Sequence, residues 1–143
     1  NFEILLRVPG GCLGIIERHS ITAQRVLAHS DVAPGRKIDP GEKFPWKTLF
    51  AAGVGHFVPA APIRHSAMLK AGDTGAEVEA LQSMLALYGY GVEISGVFDR
   101  QTELVVEAFQ RHFRPRLVDG VADGSTIRTL QSLLTSLKSA ASK

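Results

Sequence analysis

The sequence predicts an α/β region followed by an all-α three-helix bundle. A short apolar run that ends at His29 has the length of a buried strand, in a region whose other patterns favour helices. The stretch 58–67 combines prolines with small residues and little periodicity, which is typical of a linker. After it, three segments carry apolar residues at helical spacing. We therefore assign 1–57 to the α/β region, 58–67 to the linker and 68–139 to the bundle.

The α/β region contains two predicted helices and one predicted strand. Leu13–His19 suits the end of an amphipathic helix, while the Pro-Gly-Gly at 9–11 predicts irregular backbone before it. Val26–Ala28 is predicted to be a buried strand that presents His29 rigidly at its end. Pro45 is predicted to start a short helix that packs back on the sheet.

Local signals delimit the three helices of the bundle. A capping box over Thr74–Glu77 predicts the first start, and Gly89 the first end. The related phrases Gly96–Asp99 and Gly120–Asp123 each predict a turn followed by an N-cap for the next helix. The predicted core stripes consist of apolar residues three or four apart, with one histidine among them: Val78, Leu81, Met84 or Leu85, Tyr88; Val105, Ala108, Phe109, His112, Phe113; Ile127, Leu130, Leu133, Leu134, Leu137.

Composition excludes several classes of protein. The chain has 143 residues, 45% of them hydrophobic, and a net charge of only +2 with the basic residues scattered among acidic ones, so it lacks the footprint of a nucleic-acid binder. No apolar run approaches the ~20 residues of a transmembrane segment, and the N-terminal segment carries Glu3 and Arg7 inside its apolar stretch, which a secretion signal would not. Cys12 is the only cysteine, which excludes an internal disulfide and favours a small buried side chain.

His29 and Asp39 are the candidate metal ligands. An imidazole nitrogen and a carboxylate oxygen both bind Zn²⁺, and Pro34-Gly35 between them allows the chain to turn back. A catalytic zinc uses three protein ligands and leaves a position for water, so one more ligand is required. Lys37 would lie beside the metal. The alternative is a chance pairing in a loop with a solvated lysine, because such pairs are common.

The remaining histidines are interpreted as ordinary surface or partly buried imidazoles: His19, His56, His65 and His112.

The stretch Arg25–Trp46, RVLAHSDVAPGRKIDPGEKFPW, resembles the C-terminal part of zinc-dependent N-acetylmuramoyl-L-alanine amidases of the type 2 amidase family. The resemblance implies a domain with a mixed sheet and helices. It also implies hydrolysis of the amide between N-acetylmuramic acid and L-alanine in peptidoglycan or muropeptides. His29 and Asp39 would be ligands of Zn²⁺, and Lys37 a catalytic residue that stabilises the transition state.

The family pattern also requires an upstream zinc-binding histidine and a catalytic glutamate. Neither has a counterpart in this chain, so we expect it to represent the C-terminal part of the catalytic domain. The partner would then be the missing N-terminal part, for example as a separate chain. On its own the fragment is expected to be inactive.

A second resemblance covers the bundle. Leu69–Gln82, Gly96–Thr102 and Val106–Gln110 resemble the small peptidoglycan-binding domain of bacterial wall hydrolases, in which repeated Gly and Asp turns shape a shallow groove. Tyr88, Tyr90 and Asp99 are the candidate substrate-binding residues. The basic insert 114–119 departs from that pattern. A purely structural cap on the enzyme is the alternative, because stripes at helical spacing are usually core.

Two functions from different classes follow from these resemblances. The first is a zinc-dependent amidase, and the alternative is a noncatalytic peptidoglycan-binding module with a vestigial amidase tail. A fused wall-binding domain favours the cell envelope or periplasm, with the cytoplasm as the alternative if the substrate is a released muropeptide.

Overall fold

A computed structural model describes residues 2–142 of the chain, with side chains from Gly10 onward. The regular elements of that part are helices. In chain order they are α1 Phe2–His19, a 3₁₀ turn Ala23–Arg25, α2 His29–Val32, α3 Trp46–Ala51, α4 Ala76–Tyr88, α5 Arg100–Phe113 and α6 Gly124–Ala141.

The α/β prediction for the first region is wrong. Between residues 2 and 142 the structure forms no sheet, and the only β pairings there are the isolated bridges Leu69–Ala122 and Thr74–Val97. Val26 and Ala28 do have extended torsions, with φ −85°, ψ 100° and φ −83°, ψ 159°. A strand also needs a hydrogen-bonded neighbour, and nothing in the described range pairs with this segment. Its short apolar run could not reveal that from composition alone.

The chain divides into two compact units, the first formed by residues up to Leu27 together with Pro45–Phe57. Here α1 continues through Pro9, so the predicted irregular backbone before Leu13 is wrong, although the proline removes one helical N–H donor. α3 follows Pro45 as predicted. Among the side chains of this unit that the structure describes, the buried apolar ones are Trp46, Leu49 and Val54.

The second unit contains Ala28–Phe44 and the chain from Val58 onward. α4, α5 and α6 surround one core, and α4 packs on α6. Most members of the predicted stripes lie in it, with Leu85 buried and Met84 at its edge. The buried residues of this core are Val78, Leu81, Leu85, Tyr88, Tyr90, Phe98, Val105, Val106, Ala108, Phe109, Phe113, Ala122, Leu130 and Leu133.

Two of the three predicted helix starts are confirmed. The carboxylate of Asp99 accepts from the backbone N–H of Thr102, and that of Asp123 from the N–H of Thr126, both at 2.8 Å. The capping box at Thr74 is wrong. α4 begins after Gly75, whose φ of 120° suits glycine, and no side chain caps it.

A buried glutamine holds the turn that precedes α5. The side-chain oxygen of Gln82 accepts from the backbone N–H groups of Ser95 and Gly96, at 3.0 and 2.9 Å. Its nitrogen donates to the carbonyl of Val97 and to the hydroxyl of Thr102, both at 3.0 Å. One amide on α4 therefore fixes both the turn and the first helical turn of α5.

Gln110 repeats this arrangement at the turn before α6. Its oxygen accepts from the N–H groups of Asp119 and Gly120, at 2.9 and 3.0 Å. Its nitrogen donates to the carbonyl of Val121 at 2.9 Å and to the hydroxyl of Thr126 at 3.1 Å. The Gly and Asp phrases are thus two copies of one turn motif between helices, and each turn is bound by a fully buried glutamine.

The proline-rich stretch lies along the start of α6. The N–H of Ala61 donates to Thr129 Oγ1 at 3.0 Å, and Ser125 Oγ donates to the carbonyl of Ala61 at 2.6 Å. The N–H of Gly124 donates to Ser66 Oγ at 2.9 Å. Hydrogen bonds therefore attach this stretch to the bundle.

Candidate metal centre

The structure brings His29 and Asp39 together. Nδ1 of His29 lies 2.7 Å from Oδ2 of Asp39. The backbone N–H of Ser30 also donates to the carbonyl of Asp39 at 3.2 Å, which ties the two ends of the intervening loop. His29 is the first residue of α2, so a helix start positions the imidazole and the predicted strand end is wrong. A one-turn helix and a backbone hydrogen bond thus fix the pair.

Both side chains of the pair are exposed to solvent. The carboxylate of Asp39 is negatively charged, as the binding of a cation requires. The side chains of His29 and Asp39 are 70% and 60% exposed. The hydrogen bond with His29 lowers the pKa of Asp39 below its ordinary value, and the positive charge of Lys37 acts in the same direction. Asp39 is therefore ionised at neutral pH, which is the form that binds metal.

The donor set fits two positions of a zinc shell. Ligands at about 2.1 Å and tetrahedral angles lie about 3.4 Å apart, so this pair needs to open by less than about 1 Å. Both side chains face solvent, where such a change meets no packing. Among the described residues, no group of three or more His, Cys, Asp or Glu side chains could hold a metal ion. His29 and Asp39 would thus supply two of the ligands that a zinc ion needs.

Lys37 lies in the same loop and is exposed. Its backbone N–H donates to the carbonyl of Ala33 at 3.1 Å. Two glycines with positive φ bracket it, Gly35 at 75° and Gly41 at 79°. The roles of Lys37, His29 and Asp39 as catalytic and metal-binding residues stay predictions.

Asp31 is a residue that sequence reasoning missed. Its carboxylate is buried and accepts from the N–H of Ala28 at 2.8 Å and from the hydroxyl of Tyr90 at 2.7 Å. Nδ1 of His112 lies 2.6 Å from the same carboxylate. His112 is 3% exposed, so its interpretation as a surface or partly buried imidazole is wrong. Its position on the apolar stripe of α5 was the available signal.

The candidate substrate-binding residues of the bundle belong to its core or cap a helix. Tyr88 and Tyr90 are both 7% exposed, and burial, followed by the charge of Asp31, raises the pKa of each phenol. Asp99 caps α5, and the N–H of Thr102 lowers the pKa of its carboxyl group. Their substrate contacts stay predictions.

A depression of about 410 Å³ opens beside the second Gly and Asp turn. Arg64 and His65 contribute basic groups to it, and Leu117 and Val121 contribute apolar surface. Asp119 and Asp123 add acidic groups. This mixed lining suits a ligand that combines polar and apolar groups.

No helix within residues 2–142 is long and apolar enough to cross a membrane.

Comparison with known proteins gives consistent results. Residues 74–130 match the family described as "Putative peptidoglycan binding domain". The N-acetylmuramoyl-L-alanine amidase AmiD of Escherichia coli K12 is 39% identical over 120 residues, which are 84% of this chain and 43% of AmiD. This chain therefore spans less than half the length of that relative.

Solved structures show the same relationship. AmiD from E. coli, in complex with the substrate anhydro-N-acetylmuramic acid-L-Ala-D-gamma-Glu-L-Lys, superposes with a TM-score of 0.72 at 35% identity, covering 90% of this chain and 50% of AmiD. AmpDh3 from Pseudomonas aeruginosa, in complex with anhydromuramic pentapeptide, gives 0.70 at 28% identity, covering 92% and 51%. The chain is therefore homologous to N-acetylmuramoyl-L-alanine amidases and contains a peptidoglycan-binding domain.

Proposed function

We propose that this chain is part of a zinc-dependent N-acetylmuramoyl-L-alanine amidase, which hydrolyses the amide between N-acetylmuramic acid and L-alanine of peptidoglycan or muropeptides. The observation that carries the proposal is the convergence of His29 and Asp39 within 2.7 Å, in a chain homologous to such amidases. The bound muropeptides of the AmiD and AmpDh3 structures support the substrate class.

His29 and Asp39 hold the metal in this proposal. When bound, Zn²⁺ supplies a Lewis acid that polarises the scissile carbonyl and activates water. Lys37, two positions before Asp39, places a positive charge where the carbonyl oxygen becomes negative in the transition state. Lys37 belongs to an exposed loop whose two ends are joined by the hydrogen bond between the Ser30 N–H and the Asp39 carbonyl.

The third zinc ligand and the group that transfers the proton are assigned to another part of the enzyme. The described residues offer no three-ligand cluster, and two ligands bind zinc weakly. We therefore expect the polypeptide 1–143 alone to have little activity. The partner in this proposal is the segment that carries the remaining ligand, whether in the same polypeptide or a separate one.

The bundle directs the enzyme to its substrate. Residues 74–130 match a peptidoglycan-binding family, and the depression beside the turn at 119–123 is the candidate contact surface. Wall binding favours a location in the cell envelope or periplasm. A cytoplasmic enzyme acting on released muropeptides is the alternative.

The test uses the complete enzyme and anhydro-N-acetylmuramic acid-L-Ala-D-gamma-Glu-L-Lys. Mass spectrometry follows release of the peptide with a free L-alanine amino group, and elemental analysis gives zinc per protein. The wild type is expected to contain one zinc ion and to turn over, whereas His29→Ala and Asp39→Ala lose both properties. His19→Ala, an exposed histidine of α1, serves as the matched control and should retain them. Full turnover by His29→Ala would refute the assignment.

The second candidate, a noncatalytic wall-binding module, is favoured by the family match at 74–130. It predicts binding to purified sacculi with neither zinc nor peptide release in the wild type. Retained binding to sacculi, without zinc and without peptide release, would select it over the amidase.

A further inference from the structure

The carboxylate of Asp31 connects the loop of the candidate metal centre to the bundle. Oδ1 accepts from the Tyr90 hydroxyl at 2.7 Å, and Oδ2 lies 2.6 Å from Nδ1 of His112. The side chains of Asp31 and His112 are only 3% and 2% exposed. Tyr90 follows α4, and His112 belongs to α5. One buried group therefore joins α2 to two separate elements of the bundle.

A second contact joins the same loop to α5. The Cα of Gly35 lies so close to α5 that an added Cβ would be 2.6 Å from Cδ1 of Leu104. α2 itself also packs on α5. Asp31 and Gly35 thus attach the loop to α5 at two separate points.

Two large apolar side chains of the segment 28–44 contribute little packing. Val32 is 65% exposed and Ile38 67%. α2 is a single turn of four residues, and an isolated helix of that length is unstable in water. Asp31 also accepts from the N–H of Ala28, which precedes this turn. The conformation that carries His29 therefore depends on the bundle.

We propose that Asp31 is a positioning residue, through which the peptidoglycan-binding bundle holds His29 and Asp39 close enough together to bind one zinc ion. The identification of these two side chains as ligands rests on the proposed function. In consequence, the bundle has two roles: it binds the wall, and it forms part of the support of the catalytic centre. Groups that orient metal ligands affect metal affinity by about 10–100-fold when removed.

The first experiment measures zinc affinity and local order in the complete enzyme. Asp31→Asn should weaken zinc binding at least about tenfold in competition with a chelator. Hydrogen exchange of the metal-free protein should become faster in 28–44, including the Ser30 amide that donates to Asp39. Asp123→Asn is the matched control, because Asp123 is also buried and pairs with a buried cation, Arg114, at 3.2 Å. It should leave zinc affinity and exchange in 28–44 at wild-type values.

Milder variants keep the test decisive if Asp31→Asn fails to fold. Tyr90→Phe removes one hydrogen bond and His112→Gln another, so each should weaken zinc binding less than Asp31→Asn while α4 to α6 stay protected from exchange. Unchanged zinc affinity in all three variants would overturn the proposal, as would an equal loss in Asp123→Asn. If the wild type binds no zinc, the proposed function fails. The exchange of 28–44 still decides whether Asp31 anchors the loop.

Discussion

Gln82 and Gln110 occupy equivalent positions in the two halves of the bundle. Each is fully buried on a helix, and each makes five hydrogen bonds to the turn and helix start that follow. Each Gly and Asp turn of the sequence is therefore stabilised from the core side by a side-chain amide. This pairing indicates that the bundle is built from two copies of one motif.

Replacing Gln110 with leucine should destabilise the bundle strongly. The change leaves the N–H groups of Asp119 and Gly120 without their acceptor, and each unsatisfied buried donor costs about 1–3 kcal/mol. We expect a loss of about 3 kcal/mol in the free energy of unfolding, measured by urea denaturation. Gln131→Leu is the control, since Gln131 is exposed on α6 and its replacement should change stability by less than about 0.5 kcal/mol. Equal effects would contradict the role of the buried amide.

The cap at Asp99 makes stability depend on pH. Its folded-state pKa is lowered, mainly because the carboxylate accepts from the N–H of Thr102, so this contribution is complete above the unfolded value of 3.8. It is lost as the pH falls through the folded pKa. Asp99→Ala should cost about 1 kcal/mol at pH 7 and less below pH 3. Asp99→Asn retains an uncharged cap, and its stability should not show this acid-dependent loss. Denaturation at both pH values checks this, and a pH-independent penalty for alanine would refute it.

Gly35 and Gly41 offer a matched pair in the loop of the candidate metal centre. Both have positive φ, but a Cβ at Gly35 would meet Leu104 Cδ1 at 2.6 Å, whereas at Gly41 the nearest atom lies 3.9 Å away. Gly41→Ala should cost only the conformational strain of about 1–2 kcal/mol. Gly35→Ala adds steric displacement of the loop from α5. Hydrogen exchange should therefore accelerate across 28–44 in Gly35→Ala more than in Gly41→Ala. The reverse order would show that this contact does not hold the loop.

How far the sequence predicts the structure depends on the range of the interaction. Asp99 and Asp123 were predicted as helix caps because a cap needs only residues within one helical turn. The strand at Val26–Ala28 was wrong because a strand depends on a distant partner. The pairing of Asp31 with His112 joins residues that are 81 positions apart, so periodicity could place His112 on the inner face of α5 but could not identify its partner.

The sequence analysis also did not predict the buried glutamines, because their hydrogen-bond partners are distant in sequence. Hydrophobic patterning treats a polar residue on a helix as exposed, whereas Gln82 and Gln110 are buried because their four hydrogen-bonding positions are all used. His29 and Asp39 were paired through their chemistry and the turn between them. The structure adds their distance, and the zinc assignment stays a prediction.

Lys37 allows the chemical part of the proposed function to be tested apart from metal binding. If its charge acts on the transition state, Lys37→Met should lower kcat about 100-fold and leave KM and zinc content nearly unchanged. Lys43→Met is the control, since Lys43 is another exposed lysine of the same segment and its loss should have little effect. Steady-state kinetics on the anhydromuramyl tripeptide, with zinc analysis of each variant, gives the comparison. An increase in KM at constant kcat would instead assign Lys37 to substrate binding, and equal losses in both variants would indicate a general effect of charge.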